Sequence, residues 1–308
     1  MGFTIALALT ICGPLTCQAA TLLKTTHLFD ITHDFSQPTD VAVSADGFIY
    51  VVDGVNACIK VFKPDGTFAF AFGKKGRKQG EFMSPLGIDL DVSGNVYIAD
   101  AGNQRLQIMS PKGKFLRQVM LPTSGFKTPD PSDVAVDEEH DRCYVVDNDN
   151  HHILAYSLSS LKLVDTFGSP GEGKRQFRYP FLIDLDTKGY LYIVDVINTR
   201  VQALTPEGSF VANIGGWGVE AGNFFRPKGV AIGPNNLVYV SDSYMGVIQA
   251  FDTNGDFQGV IADSLTKQVK RFNAPVGLYA GANKRLYVVE MFANKVSVLS
   301  LDHLDKSR

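Results

Sequence analysis

Residues 191–195 read Leu-Tyr-Ile-Val-Asp, and close variants of this segment recur along the 308-residue chain. Successive copies are 47 or 48 residues apart, measured between the acidic residues that end them. These acidic residues are Asp53, Asp100, Asp147, Asp195, Asp242 and Glu290. A recurrence at one fixed period predicts an array of similar structural units rather than a single irregular domain.

Each unit contains the signals of four short strands. After a proline comes a small apolar run such as residues 87–90, then a glycine turn, the tyrosine-containing strand and two further strands. β-branched and aromatic runs separated by Gly, Asn and Asp turns are typical of antiparallel strands. Four such strands per unit, at a period in the forties, indicate the blade of a β-propeller.

The unit resembles the NHL repeat. Asn103-Gln-Arg105, Asn198-Thr-Arg200 and the glycine-spaced stretch from Phe72 to Phe82 carry the resemblance, which extends over residues 35–300. It implies an all-β, six-bladed propeller of four-stranded antiparallel blades, with repeats at about 35–81, 82–127, 128–176, 177–223, 224–271 and 272–301. The last repeat has only three strands, so we expect residues 22–31 to pair with it and close the ring, since closure removes exposed sheet edges.

The N-terminal 19 residues indicate export. Phe3–Ile11 is an apolar run too short to span a bilayer, and Cys17-Gln18-Ala19 fits a signal-peptide cleavage site before a single domain of residues 20–308. Lipidation at Cys12 or Cys17 is the alternative, although Ile11 and Thr16 are poor residues before a lipidated cysteine. We therefore expect a secreted or periplasmic protein, with no membrane span in its mature part.

The composition limits the classes of partner that the protein is expected to bind. The chain has 45% hydrophobic residues, 29 basic and 32 acidic side chains and a net charge of −3, which excludes a disordered protein. Binding to nucleic acid rests on an excess of Lys and Arg that is missing here. We expect a monomer whose partner is a protein or a small molecule and not a nucleic acid.

The recurring acids have a structural interpretation. An acid at the same place in every repeat accepts hydrogen bonds from turn backbone, as Asp commonly does. They are therefore not proposed as catalytic residues. Cys58 and Cys143, the cysteines of the mature chain, are interpreted as core residues.

A second set of acids is predicted to face the central channel. Strand alternation places them on the inner strands of the first four repeats, at Asp40, Asp89, Asp133 and Asp184. Oxygen-rich clusters suit calcium, so these four are candidate metal ligands. The alternative is that they are solvated channel acids without a ligand. Asp89 and Asp184 stand where three other repeats carry Ala, which predicts that the fold does not require an acid there.

Aromatic residues that break the repeat are candidate binding residues. They are Trp217, Tyr244, Tyr279 and Phe292. Aromatic side chains on turns are common at binding faces. The basic segment 74–78 is interpreted as a solvated loop or, alternatively, as a contact for an acidic partner.

Two functions remain open at this point. The first is a binding or scaffolding module that works through the loop-bearing face and the central funnel. The second is a hydrolase or lyase with calcium or zinc in the channel, similar to lactonase-like, strictosidine-synthase-like or amidating-lyase propellers. No catalytic residue is identified, because no Ser-His-Asp or Cys-His arrangement is legible and the adjacent His151 and His152 point to opposite sides of a strand.

Overall fold

The computed structural model describes residues 21–123 and 127–306. The predicted signal peptide, residues 1–19, lies outside the described residues. Within them the chain forms four four-stranded antiparallel sheets and one eight-stranded sheet. The four-stranded sheets are β2 (Pro38–Val43), β3 (Ile49–Asp53), β4 (Cys58–Phe62) and β5 (Phe68–Phe72); β6 (Pro85–Leu90), β7 (Val96–Asp100), β8 (Arg105–Met109) and β9 (Phe115–Met120); β10 (Pro131–Asp137), β11 (Arg142–Asp147), β12 (His152–Ser157) and β13 (Leu163–Phe167); and β14 (Pro180–Leu185), β15 (Leu191–Asp195), β16 (Arg200–Leu204) and β17 (Phe210–Ile214).

The eight-stranded sheet contains the fifth and sixth sequence repeats. Its strands, in spatial order, are β18 (Pro227–Ile232), β19 (Val238–Asp242), β20 (Val247–Phe251), β21 (Phe257–Asp263), β1 (Leu22–Ile31), β24 (Lys295–Ser300), β23 (Arg285–Glu290) and β22 (Pro275–Ala280). The all-β propeller architecture is confirmed. The predicted count of six separate blades is wrong, because the hydrogen bonding gives four blades and one larger sheet.

Strand β1 causes this difference. Its first half, Leu22–Thr25, pairs in parallel with residues 260–263 of β21, and its second half pairs antiparallel with β24. The sequence predicted a partner in the last repeat and did not predict the parallel pairing with the fifth. One strand therefore covers the outer edges of both repeats and fuses them into a single sheet.

The hydrophobic core lies between neighbouring sheets. The tyrosine-containing second strands are buried along their whole length in β3, β7, β15 and β19. One core cluster joins Tyr50 and Val52 of the first repeat to Ile88 and Val96 of the second, and comparable clusters join the other repeats. Packing of this kind fixes each sheet against the next and holds the first strands around a common axis.

The loops between repeats are shaped by a glycine and a phenylalanine. Gly73 has φ +84°, and a Cβ atom there would collide with the buried ring of Phe82. Gly215 and Phe224 repeat the arrangement after the fourth sheet. The Phe-Gly spacing of the sequence motif thus reflects a left-handed turn over a core ring.

Three 3₁₀ turns complete the described elements, at Ala101–Asn103, Met291–Ala293 and Asp302–Lys306. In the described part of the chain, no helix is long and apolar enough to span a membrane.

Candidate functional site

The recurring acids hold the turns on one end of the propeller. Asp100 is fully buried; its Oδ1 accepts a 2.7 Å hydrogen bond from the Met83 backbone N–H, and its Oδ2 accepts one from Arg105 Nε at 2.8 Å. Asp195 makes the same contacts with the Arg178 backbone N–H and Arg200 Nε. The structural interpretation of these acids is confirmed.

The fifth repeat departs from this pattern. Val247 stands where the second and fourth repeats carry Arg105 and Arg200, and the Asp242 carboxylate accepts four backbone N–H groups. Two of these belong to Tyr244 and Met245 of the following turn, so the chain is drawn tightly around the acid. The same turn carries the exposed side chain of Tyr244.

The first strands of the repeats surround the axis. Strands β2, β6, β10, β14, β18 and β22 contact one another in this order, and β22 contacts β2. All four predicted channel acids line a small axial cavity of about 60 Å³, together with Tyr279. The structure therefore brings Asp40, Asp89, Asp133 and Asp184 to the axis.

These four acids connect successive repeats. Each carboxylate accepts a hydrogen bond from a backbone N–H on the first strand of the next repeat. The pairs are Asp40 Oδ2 with Ile88 (3.1 Å), Asp89 Oδ2 with Val136 (2.7 Å), Asp133 Oδ2 with Ile183 (2.8 Å) and Asp184 Oδ2 with Ile232 (2.7 Å). Between the fifth and sixth repeats, Ser241 makes the connection instead. Its hydroxyl accepts from the Gly229 N–H and donates to the Val276 carbonyl. Asp89 and Asp184 thus bridge strands of successive repeats, a contact that the sequence did not predict.

Burial changes the protonation of the channel. Desolvation raises the pKa of Asp89 to about 7 and that of Asp184 to about 6. The pKa values of Asp40 and Asp133 are also raised, mainly by burial and further by the neighbouring channel carboxyl groups. Burial, with Asp184 and Asp89 nearby, raises the pKa of Tyr279 to about 12.

No metal site is found in the described ranges 21–123 and 127–306, where no group of three or more His, Cys, Asp or Glu side chains is arranged to hold an ion. The oxygen atoms of the candidate ligands are largely occupied by backbone N–H groups, as described above. Asp133 Oδ1 is the exception, a buried atom without a hydrogen-bond partner. The channel geometry thus favours a structural role for the four acids.

The loop face is the end of the propeller that carries the loops between repeats and the turns between second and third strands. Three predicted aromatic residues lie exposed on it, with 76% exposure for Trp217 and 67% for both Tyr244 and Phe292. Tyr244 and Phe292 line one cavity, whereas Trp217 lies apart in the loop after the fourth repeat and Tyr279 lies in the channel. The structure therefore assembles two of the four predicted binding aromatics.

The cavity between Tyr244 and Phe292 has a volume of about 270 Å³ and is called the loop-face cavity below. Phe181, Arg226 and Lys228 also line it, with Met291 at its edge. Met291 also lines a neighbouring cavity of about 390 Å³ that contains Lys75, from the predicted basic segment. Two hollows thus lie side by side on the loop face.

Phe181, Arg226 and Lys228 were not predicted from the sequence. A signal existed, since Lys228 is the charged member of a repeat position otherwise occupied by Thr39, Leu86, Ser132, Phe181 and Val276. Comparing the repeats at this position, immediately after the proline, identifies a cation beside the axis.

Comparisons with known proteins agree with this propeller architecture. Residues 35–62 and 82–109 match the family described as NHL repeat. The chain contains NHL repeats. No curated protein matches the sequence.

Solved structures share the fold of this NHL-repeat chain. A streptogramin B lyase structure superposes with a TM-score of 0.66 at 13% identity, covering 90% of this chain and 98% of that one. A catalytically inactive virginiamycin B lyase from Staphylococcus aureus with quinupristin gives 0.63 at 16% identity, covering 87% and 82%. Hydrazine synthase of Kuenenia stuttgartiensis gives 0.60 at 12% identity, covering 87% and 96%. At these identities the similarity establishes the fold alone.

Proposed function

We propose that this NHL-repeat propeller is an exported binding module that works through its loop face. The observation that carries the proposal is the contrast between the central channel and the loop face. The channel acids are engaged in hydrogen bonds between repeats. The loop face, in contrast, presents exposed Tyr244 and Phe292 around an open cavity.

Exposed aromatics beside a cavity favour binding. Large aromatic side chains dominate the energetics of interfaces because they bury much apolar area at low entropic cost. Trp217 adds a third aromatic to the same face. The partner is a protein or a small molecule, and the propeller acts as a monomeric scaffold for it.

A matched pair of variants tests the loop face. Tyr244→Ser combined with Phe292→Ser removes two exposed aromatics that line its cavity, and Val92→Ser combined with Val164→Ser removes exposed apolar residues away from the loop face, at 84% and 47% exposure. Each protein is cross-linked in its native host and analysed by mass spectrometry. We expect the wild type and the control variant to form cross-linked adducts that the Tyr244→Ser, Phe292→Ser variant does not form. Identical adducts for all three would contradict the proposal.

Export is part of the proposal and rests on the N-terminal sequence pattern. The mature protein is expected to begin at Ala20 or Thr21. Edman sequencing of protein recovered from the native host tests this. Intact Met1 on cytosolic protein would contradict it.

The second candidate function is a lyase, favoured by the fold shared with streptogramin B lyase and virginiamycin B lyase. In this reading, the channel acids would supply the polar groups, and calcium or zinc would bind beside them. Incubation with quinupristin, with and without divalent cations, tests this by mass spectrometry of the products. Turnover that is lost in Asp89→Asn with Asp184→Asn would replace binding with catalysis as the function.

A further inference from the structure

The loop-face cavity contains two cations without an acidic partner. Among the residues the structure describes, neither Arg226 nor Lys228 forms an ion pair. The Lys228 ammonium instead lies 4.4 Å from the centre of the Phe181 ring, a cation–π contact. The hydrogen bonds of Arg226 are made by its backbone: its N–H donates to Asp242 Oδ2, and its carbonyl accepts from the Ser243 N–H. Both cationic side chains are therefore available to a ligand.

The placement of Lys228 is costly without an anion. It is half-buried, and burial together with the charge of Arg226 lowers its pKa. A buried charge is normally paired. The Phe181 ring compensates only in part, since the face of an aromatic ring carries only partial negative charge. An incoming anion would complete the site.

Apart from Ser243 and the hydroxyl group of Tyr244, the rest of the lining is apolar. Phe181 of the fourth repeat and Met291 and Phe292 of the sixth contribute side-chain surface, and Tyr244 of the fifth lies against Phe225 with ring centres 4.3 Å apart. The volume of about 270 Å³ falls just below the ~300–1,000 Å³ range of sites for drug-sized ligands. The ligand is therefore small, with one charged end and a flat or compact apolar body.

We propose that the loop-face cavity binds a small organic carboxylate, whose anionic group lies between Lys228 and Arg226 and whose apolar body contacts Phe181 and Phe292. This rests on the proposed function and names its ligand class. A carboxylate with an apolar body uses both the cations and the aromatic walls of the cavity, whereas inorganic phosphate could contact only the cations.

The test uses matched probes. Aryl and alkyl carboxylates, beginning with 3-phenylpropionate, are each paired with their neutral amides and compared with inorganic phosphate by isothermal titration calorimetry. We expect a carboxylate of the panel to bind the wild type at least tenfold more tightly than its amide, and phosphate not to compete. The proposal is overturned if no carboxylate binds more tightly than its amide, or if phosphate binds as tightly as the carboxylates.

Variants locate the site. Lys228→Met should weaken carboxylate binding at least tenfold, and Arg226→Gln, at an exposed position, should weaken it with the fold intact. Lys174→Met is the control, because Lys174 also lies over a phenylalanine ring, 4.8 Å from the centre of Phe210, outside the cavity. Circular dichroism and melting temperature establish that each variant is folded. Equal affinity of Lys228→Met, Arg226→Gln and wild type would refute the proposal.

Different experimental results would refute the proposed function and the carboxylate site. If the Tyr244→Ser and Phe292→Ser variant loses its cellular partner while Lys228→Met binds carboxylates normally, the anion site is refuted and the loop-face function stands. If the partner persists in the aromatic variant but carboxylate binding depends on Lys228, the cavity stands and the aromatic interface is refuted.

Discussion

Asp89 on β6 accepts a 2.7 Å hydrogen bond from the backbone N–H of Val136 on β10, while its second oxygen accepts from its own neighbour, Leu90. One carboxyl group thus satisfies a donor in each of two adjacent repeats. Asp184 does the same for Leu185 and Ile232. Acids that accept backbone N–H groups thus connect successive repeats at the axis of the propeller.

Asp89→Ala is expected to lower the free energy of unfolding by about 1–3 kcal/mol at pH 5, because the Val136 N–H loses its partner inside the channel. Urea denaturation measures the change. Glu139→Ala, at an exposed acid, is the control and should be neutral. A neutral result for Asp89→Ala as well would show that the hydrogen bond between repeats contributes nothing.

The stability of the wild type should depend on pH through the same groups. The folded pKa values of about 7 and about 6 for Asp89 and Asp184 exceed the unfolded value of 3.8, so the folded chain holds more protons between them. Their contribution to the free energy of unfolding therefore falls as pH rises from about 4 to about 7.

The double variant Asp89→Asn with Asp184→Asn isolates this effect. Burial lowers the pKa of His151 and of His303, which favours the opposite trend, but both proteins share these residues. We expect the wild type to lose about 1–3 kcal/mol more than the variant between pH 4.5 and 7.5. Parallel pH profiles would contradict the raised pKa values.

Gly87→Ala should destabilise the protein by about 1–3 kcal/mol through overpacking. A Cβ atom at Gly87 would lie 2.5 Å from Asp133 Cα, and a backbone atom cannot move aside cheaply. Gly216→Ala is the control, since its Cβ would lie 3.6 Å from Asn223 Oδ1, an ordinary van der Waals contact. Thermal unfolding of the two variants compares them, and equal melting temperatures would argue against the close approach.

Asp100→Ala should cost about 3–5 kcal/mol, because Arg105, with 4% exposure, would keep its charge without the carboxylate. Asp100→Ala with Arg105→Met should recover part of this loss. Chemical denaturation of the single and double variants forms a mutant cycle. A double variant less stable than the sum of the single changes would contradict the pairing.

The sequence predicted the repeat, its strands and the recurring acids, because these depend on local alternation and turn chemistry within about 47 residues. It also predicted that Asp40, Asp89, Asp133 and Asp184 face the axis. It could not predict that each carboxylate reaches the next repeat, since that depends on the spacing between sheets. The parallel pairing of β1 with β21 was missed because residues 22–31 carry no signal that separates one edge from the other. Lys228 was missed because a lysine near a strand end usually faces solvent.

Strand β1 has a consequence for the order of folding. Lys295 Nζ lies 2.9 Å from Asp30 Oδ2 across a sequence separation of 265 residues, so nearly the whole chain must be synthesised before this contact can form. Contacts between distant residues require closure of a long loop before they are rewarded, which slows folding. The fifth and sixth repeats remain with open edges until the first strand arrives, and their completion is the natural rate-limiting step. In the folded protein, a force on the N-terminus acts first on β1, which holds both repeats, so detaching this one strand opens two sheet edges at once.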